Sequence, residues 1–356
     1  MPQPHSPLLN VLIVSSRYAD WAERVMAVAP DRLHVNALTA SSLADEAGLF
    51  PQFGAFAKDT GPVGGLSRRE CETLLHESHV IVLDAPFPRN IYSRAESLLW
   101  VHIPFAGVSD FTESDLWGQP VQATCSRGFT GTLPIAEMVI AHAYAFAKDI
   151  SNAAAATAKG RFAETYRFSM LSGKTMGLIG LGGIGGHVAR LARANGMRVL
   201  ATRHSATERE RDTGGVNELF PPSELHAMLT ECDYVVVCTP LTDETRHVLN
   251  ADAFAVMRDG AMVLNVARGE IIDEPALKDA LRSGKLGGAY LDVYTNEYFH
   301  PPDPELMALP TVVMTPHNSD NVGEVHSFGM DLFIENLRLF LGGDPLKNSV
   351  DWDRGY

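Results

Sequence analysis

The 356-residue chain is 46% hydrophobic and 20% charged, and its 29 Lys+Arg against 43 Asp+Glu give a formal charge of -14. A length of this kind suggests about two domains. A surface this acidic repels phosphate backbones and anionic lipid, which argues against nucleic acid and membrane surfaces as partners, and any anionic small molecule must meet a local positive site.

In chain order, the start MPQPHSPLLNVLIVSS lacks a basic segment and its apolar stretch is broken by Asn10, so it reads as a first strand and not as a signal peptide. No apolar run approaches bilayer length. Residues 10–130 then alternate short apolar runs with mixed segments, NVLIVSS, SHVIVLDAPF, LLWVHIPFAG and PVQATC, a βα rhythm. The Gly- and Pro-bearing stretch 47–66 has the composition of a surface loop. A long helix is predicted at 134–150, with Pro134 in its first turn and Ile135, Met138, Val139, His142 and Phe146 on one stripe, crossing between domains.

From residue 174 the alternation becomes regular. KTMGLIGLG, MRVLATR, DYVVVCTP, AMVLNVAR, GAYLDVY and TVVMTPH read as six buried strands joined by helices, hence a parallel doubly wound sheet. One of the helices is entered at Asp273–Pro275 and left at Gly284. The segment 324–343 has an amphipathic helical pattern stopped by Gly342–Gly343, and lies outside the six-strand unit. Four cysteines, Cys71, Cys125, Cys232 and Cys238, are too few and too irregular for a disulfide framework, so the expected compartment is the reducing cytosol.

The chemistry begins at GLGGIG, where Gly180, Gly182 and Gly185 follow a strand and open a helix. The first glycine permits the tight turn, the second lets a pyrophosphate approach the backbone, and the third packs helix against strand, so the helix N-terminus faces the phosphates. At the end of the next strand, where an NAD site needs a carboxylate for the ribose 2′-hydroxyl, stand Arg203, His204 and Ser205. A guanidinium there suits a 2′-phosphate, so NADP(H) is the preferred cofactor, with NAD(H) possible if Arg203 faces solvent and a carboxylate lies elsewhere. Arg268, Asp292 with Glu297, and His317 follow the apolar cores of successive later strands, whose carboxyl ends form one crevice. Hydride transfer to a 2-keto acid needs a planar cationic clamp, which Arg268 offers, and a proton donor near neutral pH, which His317 offers; Glu297 would orient that imidazole and favour its protonated form.

These pieces together, GKTMGLIGLGGIG, the NVARG segment at Arg268, GGAYLDVYTNE ending at Glu297 and MTPH ending at His317, resemble the D-2-hydroxyacid dehydrogenase family, over roughly residues 70 to 345. The resemblance implies two Rossmann-like or flavodoxin-like doubly wound parallel-sheet domains, joined by two long hinge helices with the active-site cleft between them. Residues 1–129 and 319–356 would form the substrate-binding domain and 130–318 the dinucleotide-binding domain. Carried across, Ala106 and Gly107 in VHIPFAGVSDF would bind substrate through their amides. Gly183, Ile184, Thr239, Pro240, Thr245, Val266, Ala267 and Asp292 would line the cofactor.

The family also suggests a cytoplasmic homodimer acting on small 2-keto or 2-hydroxy acids. Arg203 resembles the glyoxylate/hydroxypyruvate reductase branch, whereas Glu297 argues against the formate dehydrogenase branch, which has Gln there. The chain departs from the family at Tyr298–Phe299–His300, where Pro usually follows the Glu, and at Asn318–Ser319–Asp320, where a small Gly-rich run is usual. Rival readings are an NAD-dependent dehydrogenase of 3-phosphoglycerate or phosphite, and a dinucleotide-sensing corepressor-like protein. Tyr144 and Lys148 form a Y-x-x-x-K that precedes the glycine loop and reads as a helix pair. His76 and His79 lack the spacing and the third ligand of a metal site, and no metal is expected.

Overall fold

In the computed structural model, which describes residues 8–15, 21–45, 49–50, 65–162, 168–322 and 326–356, the chain divides into two units. One comprises Met1–Thr130 with Val322–Tyr356 and the other Gly131–Asn321. Most of the 47–66 stretch lies outside the described residues.

The first unit is built on strands β1 (Leu9–Val14), β2 (Leu33–Leu38), β4 (Val80–Leu83), β6 (Trp100–Ile103) and β7 (Gln122–Cys125), in the order β2-β1-β4-β6-β7, with every neighbouring pair parallel. Two short strands, β3 (Leu49–Phe50) and β5 (Phe87–Pro88), pair separately. The sequence reading anticipated β1, β4, β6 and β7 but not β2. As an edge strand, β2 mixes buried and exposed residues along LHVNAL and lacks a continuous apolar run. Val11, Ile13, Val80, Val82 and Trp100 pack against Met330, Phe333 and Leu337 of the helix His326–Gly342, which returns to this sheet as its amphipathic pattern requires. Beyond that helix the chain pairs with β7, Thr124 opposite Ser349.

The second unit holds β8 (Thr175–Ile179), β9 (Arg198–Thr202), β10 (Glu210–Arg211), β11 (Glu218–Phe220), β12 (Tyr234–Val237), β13 (Ala261–Asn265), β14 (Leu286–Leu291) and β15 (Val312–Met314), ordered β10-β11-β9-β8-β12-β13-β14-β15. All pairs are parallel except β10 with β11. The six expected strands are present, and β11 adds a seventh parallel one. It escaped the sequence reading because only three residues pair and one is Glu218, whose buried carboxylate is neutralised by Arg198 at 3.3 Å and Arg209 at 3.6 Å.

Burial on both faces explains why these strands are continuous apolar runs. In β12, Val235 and Val237 enter one core cluster while Tyr234 and Val236 enter the other. Each fully buried valine contributes roughly 1.5–3 kcal/mol of transfer free energy before the entropy of ordering is subtracted.

The expected single helix at 134–150 is two, Thr132–Ala147 and Ile150–Ala158, because Asp149 takes a left-handed conformation between them. The strand order reverses between β8 and β12. Carboxyl ends of strands at such a reversal are where open α/β sheets bind ligands.

Candidate active site

The reversal point carries the glycine loop. Gly180, at φ 102, allows β8 to turn, and a Cβ there would lie 2.8 Å from the Cys238 carbonyl oxygen. One on Gly185 would lie 2.4 Å from the Gly180 oxygen, so bare backbone is required for the helix Gly183–Ala194 to press on the strand. Gly182 faces open space, and as N-cap it offers no side chain to the first amides of that helix. Unsatisfied amides and the positive end of the helix dipole, beside room left by an absent side chain, fit the diphosphate of a dinucleotide. Gly183 is exposed at the helix start, while Ile184 leans on the core beneath.

Arg203 is the first residue past β9 and is exposed, as are His204 and Ser205. Among the described residues no ion pair engages Arg203, whereas His204 Nδ1 lies 3.3 Å from Glu244 Oε2. Past β12, Thr239 is half-buried and Pro240 exposed. The Thr245 hydroxyl donates to the Pro240 carbonyl at 2.7 Å and accepts from the Thr242 amide at 2.8 Å, so it closes its own loop. Val266 is buried in the core and can meet a ligand only through its backbone. The Ala267 amide is held by Asn265 Oδ1 at 3.0 Å.

Past β13 stands Arg268, whose carbonyl accepts from Asn265 Nδ2 at 2.8 Å and whose guanidinium donates to the Ala267 carbonyl at 2.9 Å. Gly269 then packs against the loop after β14, where a Cβ would fall 2.0 Å from the Tyr294 carbonyl carbon. That loop presents Glu297. Its Oε1 lies 3.0 Å from His317 Nδ1, its Oε2 accepts from the Tyr294 amide at 3.3 Å, and its side chain is only 4% exposed against 25% for His317. Burial by itself pulls the His317 imidazole down. The hydrogen bond and charge of Glu297 outweigh it, with Asp292 adding to them and Arg268 opposing, and the net direction is upward from the ordinary histidine value.

His317 adopts φ 48, a conformation that costs an L-residue roughly 1–2 kcal/mol. Its amide is held by the Asp292 carbonyl at 2.8 Å. The Asp292 side chain, expected to line the cofactor, is engaged by the turn that follows β15. It is 1% exposed and accepts from Thr315 Oγ1 at 2.5 Å, the Asn318 amide at 3.1 Å, and the Ser319 amide and hydroxyl at 3.3 and 2.5 Å. With both oxygens saturated, the carboxylate serves the turn that bears the histidine.

In the first unit, Ala106 and Gly107 lie in the half-buried loop after β6, where the Ser126 amide is shared between the Ile103 and Phe105 carbonyls at 3.1 and 3.0 Å. Gly269, Thr315, Ser319 and Asn265 were not singled out from the sequence; only Ser319, as a departure from the family pattern, gave a signal. The Y-x-x-x-K residues are occupied, Tyr144 donating to Asn195 Oδ1 and Lys148 to the Ser169 carbonyl. His76 pairs with Glu96, and His79 accepts from the Asn10 amide. No group of His, Cys, Asp and Glu among the described residues could hold a metal, and no helix among them is long and apolar enough to cross a membrane.

The family model described as D-isomer specific 2-hydroxyacid dehydrogenase, NAD binding domain, matches residues 140–319. D-3-phosphoglycerate dehydrogenase of Methanocaldococcus jannaschii is 28% identical over 297 residues, covering 81% of this chain and 54% of that protein. Glyoxylate reductase of Thermococcus onnurineus is 38% identical over 174 residues, 48% of this chain and 50% of its own. The chain thus spans about half the length of these curated relatives. A crystal structure of a D-isomer specific 2-hydroxyacid dehydrogenase from Xanthobacter autotrophicus Py2, in complex with NADPH and MES, superposes with a TM-score of 0.75 at 26% identity, covering 99% of this chain and 100% of that one.

Proposed function

The chain belongs to the D-isomer specific 2-hydroxyacid dehydrogenase family, and from that premise we propose that it reduces small 2-keto acids of the glyoxylate or hydroxypyruvate kind to D-2-hydroxy acids, with NADPH preferred over NADH. The observation that carries the reading is the His317–Glu297 pair at 3.0 Å, with the charge of Arg268 felt at the same imidazole. The glycine loop and Arg203 would hold the dinucleotide, whose nicotinamide supplies the hydride to the keto carbon. The relative bound to NADPH supports that choice of cofactor.

Each residue then has a task set by its own chemistry. Arg268 presents a planar, permanently charged fork that holds the substrate carboxylate and polarises the carbonyl oxygen. His317 gives a proton to the oxygen as it becomes an alkoxide. Glu297 occupies Nδ1, so the transfer is assigned to Nε2. The Ala106 and Gly107 amides are our candidates for additional carboxylate binding. We also propose a cytoplasmic homodimer; sedimentation showing only monomer would remove the dimer.

A spectrophotometric panel of 2-keto acids against NADPH and NADH tests the reading. Turnover of glyoxylate or hydroxypyruvate with NADPH is the expected result, and 3-phosphohydroxypyruvate belongs in the panel because of the phosphoglycerate dehydrogenase relative. Cofactor binding without turnover of any member would replace this proposal with a dinucleotide sensor. Arg203→Asp should shift the NADPH/NADH ratio of kcat/KM towards NADH by about tenfold or more, as expected when a charge-assisted pairing with phosphate is lost. An unchanged ratio would show that Arg203 does not read the 2′ position.

A further inference from the structure

The turn 315–319 contains more machinery than the proposed reaction uses. His317 is held at a positive φ, and the residues on either side of it send their hydroxyls to one buried carboxylate. We propose that Thr315 and Ser319 are positioning residues for His317: their hydroxyls, with two backbone amides, clamp Asp292 beneath the turn, and Tyr290 orients the Thr315 hydroxyl from behind. The inference rests on the reading of His317 as proton donor.

The directions of the hydrogen bonds follow from proton counting. An ionised carboxylate only accepts, so Thr315 gives its single proton to Asp292 Oδ1. The 2.9 Å contact between Tyr290 and Thr315 is therefore donated by the tyrosine. Ser319 likewise gives its proton to Oδ2. Tyr290 is fully buried and stacks on His142 with ring centroids 3.5 Å apart, so its hydroxyl cannot wander. The chain Tyr290, Thr315, Asp292, Ser319 thus leaves the carboxylate no freedom to rotate, and the turn it anchors none to relax from the left-handed conformation.

Charge follows the same geometry. Glu297, Asp292 and Arg268 are among the groups that face His317, and Tyr290 and His142 are among those that face Asp292 from behind. Burial draws His142 below the ordinary histidine value and lifts the Tyr290 phenol above its own, so both are neutral near pH 7. Asp292 therefore stays aimed at the turn below the imidazole only while its donors are in place. Removing either hydroxyl lets the carboxylate turn away, and His317 loses both its orientation and a nearby stabilising charge.

The test is a titration of His317 by NMR in the full chain carrying labelled histidine, the signal being assigned by its loss in His317→Ala. It is run on Ser319→Ala, Thr315→Val and Thr315→Ser, with kcat and the NADPH dissociation constant measured beside it. We expect Ser319→Ala and Thr315→Val to lower the His317 pKa by about half a unit and kcat by about tenfold. NADPH affinity should be unchanged, and Thr315→Ser should restore both losses. A wild-type titration in the first two variants overturns the inference. So does a Thr315→Ser variant as impaired as Thr315→Val, since shape and not the hydroxyl would then matter. If wild-type protein turns over no keto acid, the proposed function fails, while the titration still decides whether the clamp acts on His317.

Discussion

Two histidines, one in each unit, show how partners decide what a ring can do. His102 on β6 is completely buried. The Gly329 carbonyl, 3.2 Å from Nε2, can only accept, so Nε2 carries the ring proton and Nδ1 accepts from Thr124 Oγ1 at 2.8 Å, which in turn accepts from Trp100 Nε1 at 2.9 Å. Every partner is neutral, and burial pushes the ring down to about 3. His317 is also largely enclosed, yet it faces two carboxylates and titrates above the ordinary value. The first ring ties β6 to the returning C-terminal helix; the second is held beside charges that raise its affinity for a proton. Burial alone does not distinguish a structural histidine from a reactive one; the charge of its neighbours does.

The largest test of that contrast is removal of the reactive ring. His317→Ala should lower kcat/KM for keto-acid reduction by about a thousandfold, and its cost in stability should be the smaller of the two because the side chain is partly exposed. His102→Ala should do the reverse. It takes one partner each from the Thr124 hydroxyl and the Gly329 carbonyl and opens a cavity beside Phe333, at a cost of about 2–4 kcal/mol in chemical denaturation, with kcat of the folded fraction preserved.

The two rings also pull stability in opposite directions with pH. His102, depressed when folded, contributes stability that is complete above its unfolded value near 6.5 and is lost, by about 1.4 kcal/mol per pH unit, as pH falls towards 3. His317, raised when folded, contributes stability below its unfolded value that disappears as pH rises through the folded one. A denaturation midpoint that is flat from pH 6 to 4 in wild type would break the assignment of His102.

The smallest expected effect is the most specific. Wild-type kcat/KM for reduction should be level at acid pH and fall as pH rises through the raised His317 pKa. Glu297→Gln should move that fall to lower pH by about one unit. An unmoved limb would show that the 3.0 Å contact does not set the proton affinity of His317.

Much of this was legible in the residues. Strands buried on both faces announce themselves as apolar runs, and the polar residue ending each run marks a carboxyl end; Arg268, Glu297 and His317 were singled out that way, as was the glycine loop between β8 and its helix. β2 and β11 were not, one because an edge strand mixes its faces, the other because Glu218 interrupts three paired residues. Asp292 was placed at a strand end, but its bonds to the following turn were not foreseen. Its four donors come from residues 23 to 27 positions away, and nothing in the spacing says which way a carboxylate turns. The need for Gly269 was equally hidden, since the backbone it must approach belongs to the loop after β14.

The sequence by itself determined the parallel sheets and the glycine loop and singled out Arg268, Glu297 and His317 as candidates, because periodicity, glycine placement and side-chain chemistry are local properties. Only the tertiary structure decided that Glu297 reaches Nδ1 of His317, that His102 is neutral, and that Asp292, Thr315 and Ser319 form one clamp. Those are matters of direction and distance between segments far apart in the chain, and in a close-packed interior they are set by the register of neighbouring strands and the packing around them.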